Sequence, residues 1–103
     1  MIELKEDTLQ ELVNKDKPTI VQFGASWCGS CRMVKPKFSK LSDEHSDIDF
    51  VYVDAEKSPE SRKLATVDHL PTFALFKNGQ LIKQTQGGKI EMVKELVDEV
   101  THN

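Results

Sequence analysis

The chain has 103 residues, of which 38% are hydrophobic and 30% are charged, with a net charge of −3 at pH 7. This balance predicts one globular domain over residues 1–103 and excludes a disordered chain. The negative charge and the scattered basic residues argue against a nucleic-acid partner. No apolar run could span a bilayer and residues 1–17 lack a signal-peptide core, so we expect no membrane association and a cytoplasmic location, although a removed segment would leave no trace.

The N-terminal third predicts two strands around a short helix. Residues 1–4 are expected to form a first strand. Thr8 and Glu11 have the spacing of a capping box, which predicts a helix start at this point. The apolar run Thr19–Phe23 predicts a buried strand. Gly24, Ala25 and Ser26 then predict a turn.

The middle of the chain continues the alternation of helix and strand. Apolar residues at helical spacing predict a helix over residues 32–45, with Pro36 causing a kink. Residues 48–53 predict a strand. A serine followed by a proline predicts the start of a helix that runs to about Ala65. The apolar residues assigned to the first of these helices are Met33, Val34, Phe38 and Leu41.

The last third predicts a hairpin followed by a helix. Residues 72–77 and 80–85 are expected to be strands, joined by Asn78 and Gly79 in a type I′ turn. Gly87 and Gly88 interrupt the chain. The final helix has one apolar face, formed by Ile90, Val93, Leu96, Val97 and Val100.

The element order is therefore β-α-β-α-β-α-β-β-α. Alternating units predict parallel strand pairing, and the Asn-Gly hairpin adds an antiparallel edge. The predicted fold class is α/β, with a central mixed sheet flanked by helices on both faces.

The only two cysteines are Cys28 and Cys31. A structural disulfide across so short a loop would remove little chain entropy, so the pair is better explained by chemistry. If Cys28 caps a helix, Cys31 lies about one turn further on, within bonding reach. The helix N-terminus then lowers the pKa of the outer thiol and favours the nucleophilic thiolate.

Zinc is the main alternative for a Cys-x-x-Cys pair. A zinc site needs two further ligands, and here the candidates are three single histidines far apart in the sequence. We therefore predict no metal. These histidines are His45, His69 and His102.

Several motifs in the same order resemble the thioredoxin family over essentially the whole chain. They are Trp27–Cys31, Pro36, Val51–Asp54, Leu70–Phe73, Phe76–Gly79 and Gly87. The resemblance implies the thioredoxin fold and a protein-disulfide reductase. In such an enzyme Cys28 attacks a substrate disulfide and Cys31 resolves the mixed disulfide.

The resemblance also implies how substrates and electrons arrive. Pro71 is expected to be cis and to face the dithiol, with Leu70 holding an extended substrate peptide through its backbone. Electrons are expected from NADPH through a thioredoxin reductase, with disulfide-containing proteins as substrates, no bound cofactor beyond the redox-active disulfide, and a monomeric state. The expected substrate-binding residues are Trp27, Gly29, Ser30, Leu70, Pro71 and Gly87.

The chain departs from the family pattern close to the site. Gln22 stands where a buried aspartate is typical, and Phe50 where a lysine often lies beneath it. Ser30 replaces the usual proline between the cysteines, from which we expect a less reducing couple. Both Gln22 and His69 are possible modulators of the dithiol, although an exposed loop histidine is the simpler interpretation of His69.

Two further replacements and two alternative functions remain open. Gly24 stands where a second tryptophan is common and Gln86 where an apolar residue is common, which makes the substrate surface less apolar. The protein could instead be a disulfide oxidant or isomerase, for which reduction potential is the discriminating measurement. It could also be a binding module without turnover, and the discriminating test is whether Cys28→Ser abolishes function while leaving binding intact.

Overall fold

The structure is a computed structural model and describes residues 1–101. Within that range strands and helices follow the predicted order. They are β1 (Ile2–Glu3), α1 (Leu9–Val13), β2 (Thr19–Gly24), α2 (Gly29–Glu44), β3 (Asp49–Asp54), α3 (Pro59–Arg62), β4 (Thr72–Lys77), β5 (Gln80–Gln86) and α4 (Ile90–Thr101). No helix in this range is long and apolar enough to cross a membrane.

The strands form one mixed sheet in the order β1-β3-β2-β4-β5. Strands β1, β3 and β2 are parallel, as the alternating units predict, but β4 is antiparallel to β2. The expectation of parallel pairing for β4 was therefore wrong. Asp54 at the end of β3 pairs with Gly24, and Thr72 at the start of β4 pairs with Phe23. The connection over residues 55–71 thus starts and ends at the same end of the sheet. Its short helix does not carry the chain back along the strands to the other end.

Helices cover both faces of the sheet, as predicted. Helices α2 and α4 pack on one face around Phe38, whose ring centroid lies 5.1 Å from that of Phe50 and 5.5 Å from that of Phe73. Helix α1 and the segment around α3 cover the other face, where Val51 and Val53 point. Burial of these side chains supplies the main driving force for the fold, because each removes apolar surface from water.

Helix α2 is continuous through Pro36 and begins at Gly29, so it starts before Arg32, where the apolar periodicity placed it. Met33 is not part of the core: 72% of its surface is exposed, although its spacing matched the apolar stripe. Helix α3 also ends at Arg62, before the predicted Ala65. Periodicity alone misses these limits because it does not identify the capping contacts.

The hairpin between β4 and β5 is confirmed, and Asn78 and Gly79 both have positive φ angles of 54° and 78°. Positive φ at both central residues is what a type I′ turn requires. The turn is also held from outside, because the N–H of Gly79 donates to the carbonyl oxygen of Val13 at 2.9 Å. The start of the antiparallel edge strand is therefore tied to the end of α1.

Neither predicted N-cap side chain forms a capping hydrogen bond, whether Thr8 at α1 or Ser58 at α3. Instead Asp7 caps α3 from a distant part of the chain. Its carboxylate accepts the backbone N–H groups of Glu60 at 2.9 Å and Ser61 at 2.7 Å. The hydrogen bond with the Ser61 side chain, followed by these backbone bonds, lowers the pKa of Asp7.

Replacing this distant cap tests the arrangement. Asp7→Ala should lower the free energy of unfolding at pH 7, because two N–H groups of α3 lose their acceptor. Ser58→Ala is the matched control and should have a clearly smaller effect, since its hydroxyl caps nothing. Urea denaturation of the three proteins gives the comparison.

The effect of Asp7→Ala should also depend on pH. Because folding lowers the pKa of Asp7, its contribution is fully present above the unfolded value of about 3.9 and is lost as pH falls through the lower folded value. The stability difference between wild type and Asp7→Ala should therefore shrink below about pH 4. A difference that stays constant into strong acid would contradict the capping role.

Candidate active site

Two cysteines begin the longest helix. Cys28 is the N-cap of α2, and its sulfur accepts the backbone N–H of Cys31 at 3.2 Å. Cys28 and Cys31 are joined by a disulfide with a Cα–Cα distance of 5.3 Å. The first turn of α2 therefore directs unpaired N–H groups and the positive end of the helix dipole at Cys28, as the sequence predicted.

Both cysteine residues are largely buried, but unequally. Cys28 is 6% exposed and Cys31 is 1% exposed. They form a small apolar cluster with Ala25, against which the partly buried Leu70 packs. An incoming disulfide therefore has more direct access to Cys28, while Cys31 lies inside the first turn of the helix.

The loop before β4 lies against this cluster. The Leu70–Pro71 peptide bond is cis, as the family resemblance implied, and Pro71 is buried. The carbonyl oxygen of Pro71 accepts the N–H of Gly87 at 2.9 Å, which ties the end of β5 to the same place. Gly87 has a φ angle of +105°, in the region that favours glycine. The structure thus brings Leu70, Pro71 and Gly87 together beside the disulfide.

Two large side chains next to the cysteines are exposed. Trp27 is 64% exposed, so it is not packed in the core. Met33, one turn into α2, is more exposed still. Its helical spacing had wrongly predicted that it belongs to the buried apolar face. Exposed apolar side chains beside a reactive group are typical of a contact surface for a partner.

Ser30 contacts the outer cysteine directly. Its hydroxyl lies 3.5 Å from the Cys28 sulfur and can donate a weak hydrogen bond to it. On its other side, Ser30 sits close to Gly88, where an added Cβ would lie 3.3 Å from the serine Cβ. Gly29, the first residue of α2, is exposed with open space around it.

Gln22 lies beneath the inner cysteine and is completely buried. Its Nε2 donates to the backbone carbonyl oxygen of Cys31 at 3.1 Å, while its Oε1 has no hydrogen-bond partner among the described residues. Phe50 is 1% exposed and packs against Phe38. The position beneath Gln22 that a lysine often occupies in the family is therefore apolar here.

Gly24 leaves room for a neighbouring aromatic side chain. A Cβ at Gly24 would lie 2.7 Å from the hydroxyl oxygen of Tyr52, so the phenol occupies the space where a side chain would start. The Lys35 ammonium lies 4.1 Å from the centroid of the same ring, a cation–π contact. Desolvation by burial raises the pKa of Tyr52. The sequence singled out Gly24, but nothing in it identified Tyr52 as the residue that fills the gap.

His69 is exposed, and its Nδ1 lies 3.0 Å from the backbone carbonyl oxygen of Asp68. Its own carbonyl oxygen accepts the hydroxyl of Thr72. Across residues 1–101, no group of three or more His, Cys, Asp or Glu side chains could hold a metal ion. His102, the third candidate ligand, lies outside the described residues.

Comparisons with known proteins agree on one family. The family model described as Thioredoxin matches residues 1–101. The chain is 36% identical to Thioredoxin H2 of Arabidopsis thaliana, over 87% of this chain and 68% of that protein. It is 35% identical to human thioredoxin over 82% of this chain and 81% of that protein.

Solved structures give the same result for the fold. The structure superimposes on thioredoxin f2 of Chlamydomonas reinhardtii with a TM-score of 0.89 and 26% identity, covering 100% of this chain and 98% of that one. Mitochondrial thioredoxin 3 of Saccharomyces cerevisiae, in its oxidized form, gives a TM-score of 0.87 and 31% identity, covering 97% and 95%.

The contact between Ser30 and Cys28 makes a prediction about thiol reactivity. Ser30→Ala removes the hydroxyl that can stabilise a Cys28 thiolate, a bond worth about 0.5–1 kcal/mol at this partly exposed position. Alkylation of Cys28 near neutral pH should slow by a factor of about 2 to 5. Iodoacetamide modification of the reduced protein, followed by mass spectrometry, measures the rate.

Ser26→Ala is the matched control, because Ser26 lies exposed in the neighbouring turn. It should leave the alkylation rate of Cys28 unchanged. Equal rates for Ser30→Ala and Ser26→Ala would show that the Ser30 hydroxyl does not act on the thiolate.

Proposed function

This chain belongs to the thioredoxin family, and from that membership and the Cys28–Cys31 pair we propose that it reduces protein disulfides with Cys28 as nucleophile and Cys31 as resolving thiol. Dithiol–disulfide exchange by a protein-disulfide reductase is the activity that the family and the cysteine pair support. The observation that carries the division of roles is the position of Cys28 at the N-terminus of α2. The sulfur at that position gains most from the helix dipole and from the N–H of Cys31.

In the first step the Cys28 thiolate attacks one sulfur of the substrate disulfide. A bond forms between Cys28 and that sulfur, and the second substrate sulfur leaves with the electron pair and takes up a proton. The N–H of Cys31, which lies 3.2 Å from the Cys28 sulfur, supports the thiolate before attack. The Ser30 hydroxyl adds a second, weaker donor.

In the second step Cys31 loses its proton and attacks the sulfur of Cys28. The Cys28–Cys31 bond forms, the bond from Cys28 to the substrate breaks, and the second substrate thiol is released. The protein is then oxidised by two electrons and the substrate is reduced by two. Burial of Cys31 supports this order, because an external disulfide meets Cys28 more readily than Cys31.

We propose that the surface around Cys28 binds an extended segment of the substrate. Trp27 offers an exposed apolar face, and Leu70 packs against the cysteine cluster. The backbone of Leu70, next to the cis bond, would pair with the main chain of the substrate, a mode that recognises extended peptides of varied sequence. Gly87 lies beside this backbone without a side chain to block it. Gly29 and Ser30 complete the proposed contact surface on the helix side.

We propose further that residues 1–103 form a single thioredoxin-like domain that acts as a cytoplasmic monomer. Its electrons would come from NADPH through a thioredoxin reductase, as the family resemblance implies. The match of the family model to residues 1–101 supports the single domain. His69 is retained as a candidate modulator of the dithiol because its loop leads into the cis Leu70–Pro71 bond.

A disulfide oxidant or isomerase is the second candidate. It is supported by the Ser30 hydroxyl at 3.5 Å from Cys28, because a stabilised thiolate makes the reduced protein more stable and the couple less reducing. The two candidates differ in direction of electron flow and not in the groups that react.

The first experiment is equilibration of the Cys28–Cys31 couple with a glutathione series, read by Trp27 fluorescence or thiol alkylation. A potential near about −270 mV supports a general reductant, and one near about −180 mV or higher supports an oxidant or isomerase. Ser30→Pro should shift the couple toward the reducing side. If no reversible disulfide forms, the proposed enzymatic function is wrong and a binding module becomes the better explanation.

Cysteine variants separate the two proposed roles. Cys28→Ser should abolish reduction of a model protein disulfide, whereas Cys31→Ser should still attack and should accumulate a mixed disulfide with substrate. Non-reducing electrophoresis and mass spectrometry detect that adduct. A mixed disulfide trapped on Cys31 in Cys28→Ser, with none on Cys28 in Cys31→Ser, would reverse the assignment.

The resolving step should be slow, because the Gln22 amide cannot take a proton from Cys31 at neutral pH. Gln22→Asp supplies a carboxylate at this position and should speed release of the mixed disulfide severalfold, with a new pH dependence. Stopped-flow measurement of release across pH tests this, with Gln22→Asn as the neutral control. An unchanged rate and pH profile in Gln22→Asp would contradict the prediction that the lack of a base at this position slows resolution.

A further inference from the structure

The Gln22 side chain has one amide orientation that satisfies its surroundings. Its nearest polar partner is the backbone carbonyl oxygen of Cys31, 3.1 Å from Nε2. A carbonyl oxygen only accepts hydrogen bonds, so the NH₂ group of the amide must face it. Oε1 is bonded to the same carbon atom as Nε2, so the amide group as a whole stays next to the backbone of Cys31.

That oxygen lacks a donor in the disulfide form. Gln22 Oε1 is buried and has no hydrogen-bond partner within residues 1–101. Its neighbours across the sheet are Phe73 on β4 and Tyr52 on β3. Phe73 has no polar group, and the Tyr52 hydroxyl lies at Gly24. A buried carbonyl oxygen without a donor is unfavourable and calls for an explanation.

Reduction of the disulfide creates a new donor at this place. Two electrons and two protons convert the Cys28–Cys31 bond into two thiols, and a dithiol or reductase supplies them in the proposed reaction. Cys31 then carries an S–H group while remaining 1% exposed above Gln22. No such donor exists in the oxidised protein, because a disulfide sulfur carries no hydrogen.

We propose that Gln22 is a redox-dependent positioning residue that holds Cys31 through two contacts. Nε2 holds the backbone carbonyl of Cys31 in both states, and Oε1 accepts the Cys31 S–H hydrogen only in the reduced state. The proposal rests on the proposed dithiol function and adds a role for the neutral amide. It orients the resolving thiol without removing its proton.

The hydrogen bond favours the reduced protein over the oxidised one. Gln22→Met keeps a long side chain but removes both amide groups, so the orphan oxygen disappears from the oxidised state and the S–H acceptor from the reduced state. The equilibrium constant against glutathione should move about tenfold toward the disulfide, which is about 30 mV in the reducing direction. The S–H stretching band of Cys31 in the infrared spectrum should shift to higher frequency when its acceptor is lost.

Thr19→Val is the matched control. Thr19 begins the same strand, is fully buried, and also has an unpartnered side-chain oxygen. It lies at the opposite end of β2 from the cysteines, so its replacement should change the unfolding free energy of both redox forms equally. The potential and the S–H band of Thr19→Val should match those of wild type.

A wild-type measurement keeps the proposal testable if Gln22→Met does not fold. The ¹³C signal of the Gln22 side-chain carbonyl should differ between oxidised and reduced protein, because it gains a donor on reduction. An unchanged carbonyl signal, or an unchanged potential and S–H band in folded Gln22→Met, would overturn the proposal. A wild-type disulfide that cannot be reversibly reduced would instead overturn the proposed function, so the two failures are distinguishable.

Discussion

The hydrogen bond from the Cys31 N–H to the Cys28 sulfur is the contact on which the chemistry of this protein depends. It makes a cysteine the N-cap of α2, a place where an oxygen side chain is the usual choice. The positive end of the helix is thereby aimed at the atom that must carry negative charge during exchange. The helix can hold this position because Phe38, which lies further along α2, packs against Phe50 and Phe73 of the sheet. Core packing and thiol chemistry are therefore linked through one rigid element.

Sheet topology explains why three separate loops meet at the cysteines. Strand β2 ends at Gly24, beside the last residue of β3, and β4 begins with Thr72 at the same end of the sheet. Thr72 also pairs with Gln86 at the end of β5. Because β4 is antiparallel to β2, the cis Leu70–Pro71 bond and Gly87 lie at the end of the sheet where α2 starts. A β4 parallel to β2 would begin at the other end of the sheet, and the dithiol would then lack this neighbouring backbone.

The sequence predictions near the site that the structure confirms depend on local signals. The cysteine spacing, the strand before it and the Asn-Gly turn each depend on residues close together in the chain, and all three were correct. Errors arose where a distant residue decides the outcome. Asp7 caps α3 across a long separation, so the local Ser58 signal placed the start of the helix correctly but did not identify the side chain that caps it. Met33 matched the helical period but lies at the margin of the buried face, where exposure depends on what packs nearby.

The departures from the family pattern make physical sense as pairs. A buried carboxylate without a cation is unfavourable, so an apolar Phe50 fits a neutral Gln22 better than a charged aspartate at the same place, which would lower the stability of the fold. Likewise Tyr52 fills the space that Gly24 leaves open, and a side chain at Gly24 would displace it. The underside of the dithiol is thus neutral in this chain, where the family pattern is charged. An amide there can give and accept hydrogen bonds but cannot titrate, so the proton that Cys31 loses during resolution must go to a group other than Gln22, such as the leaving thiol or solvent.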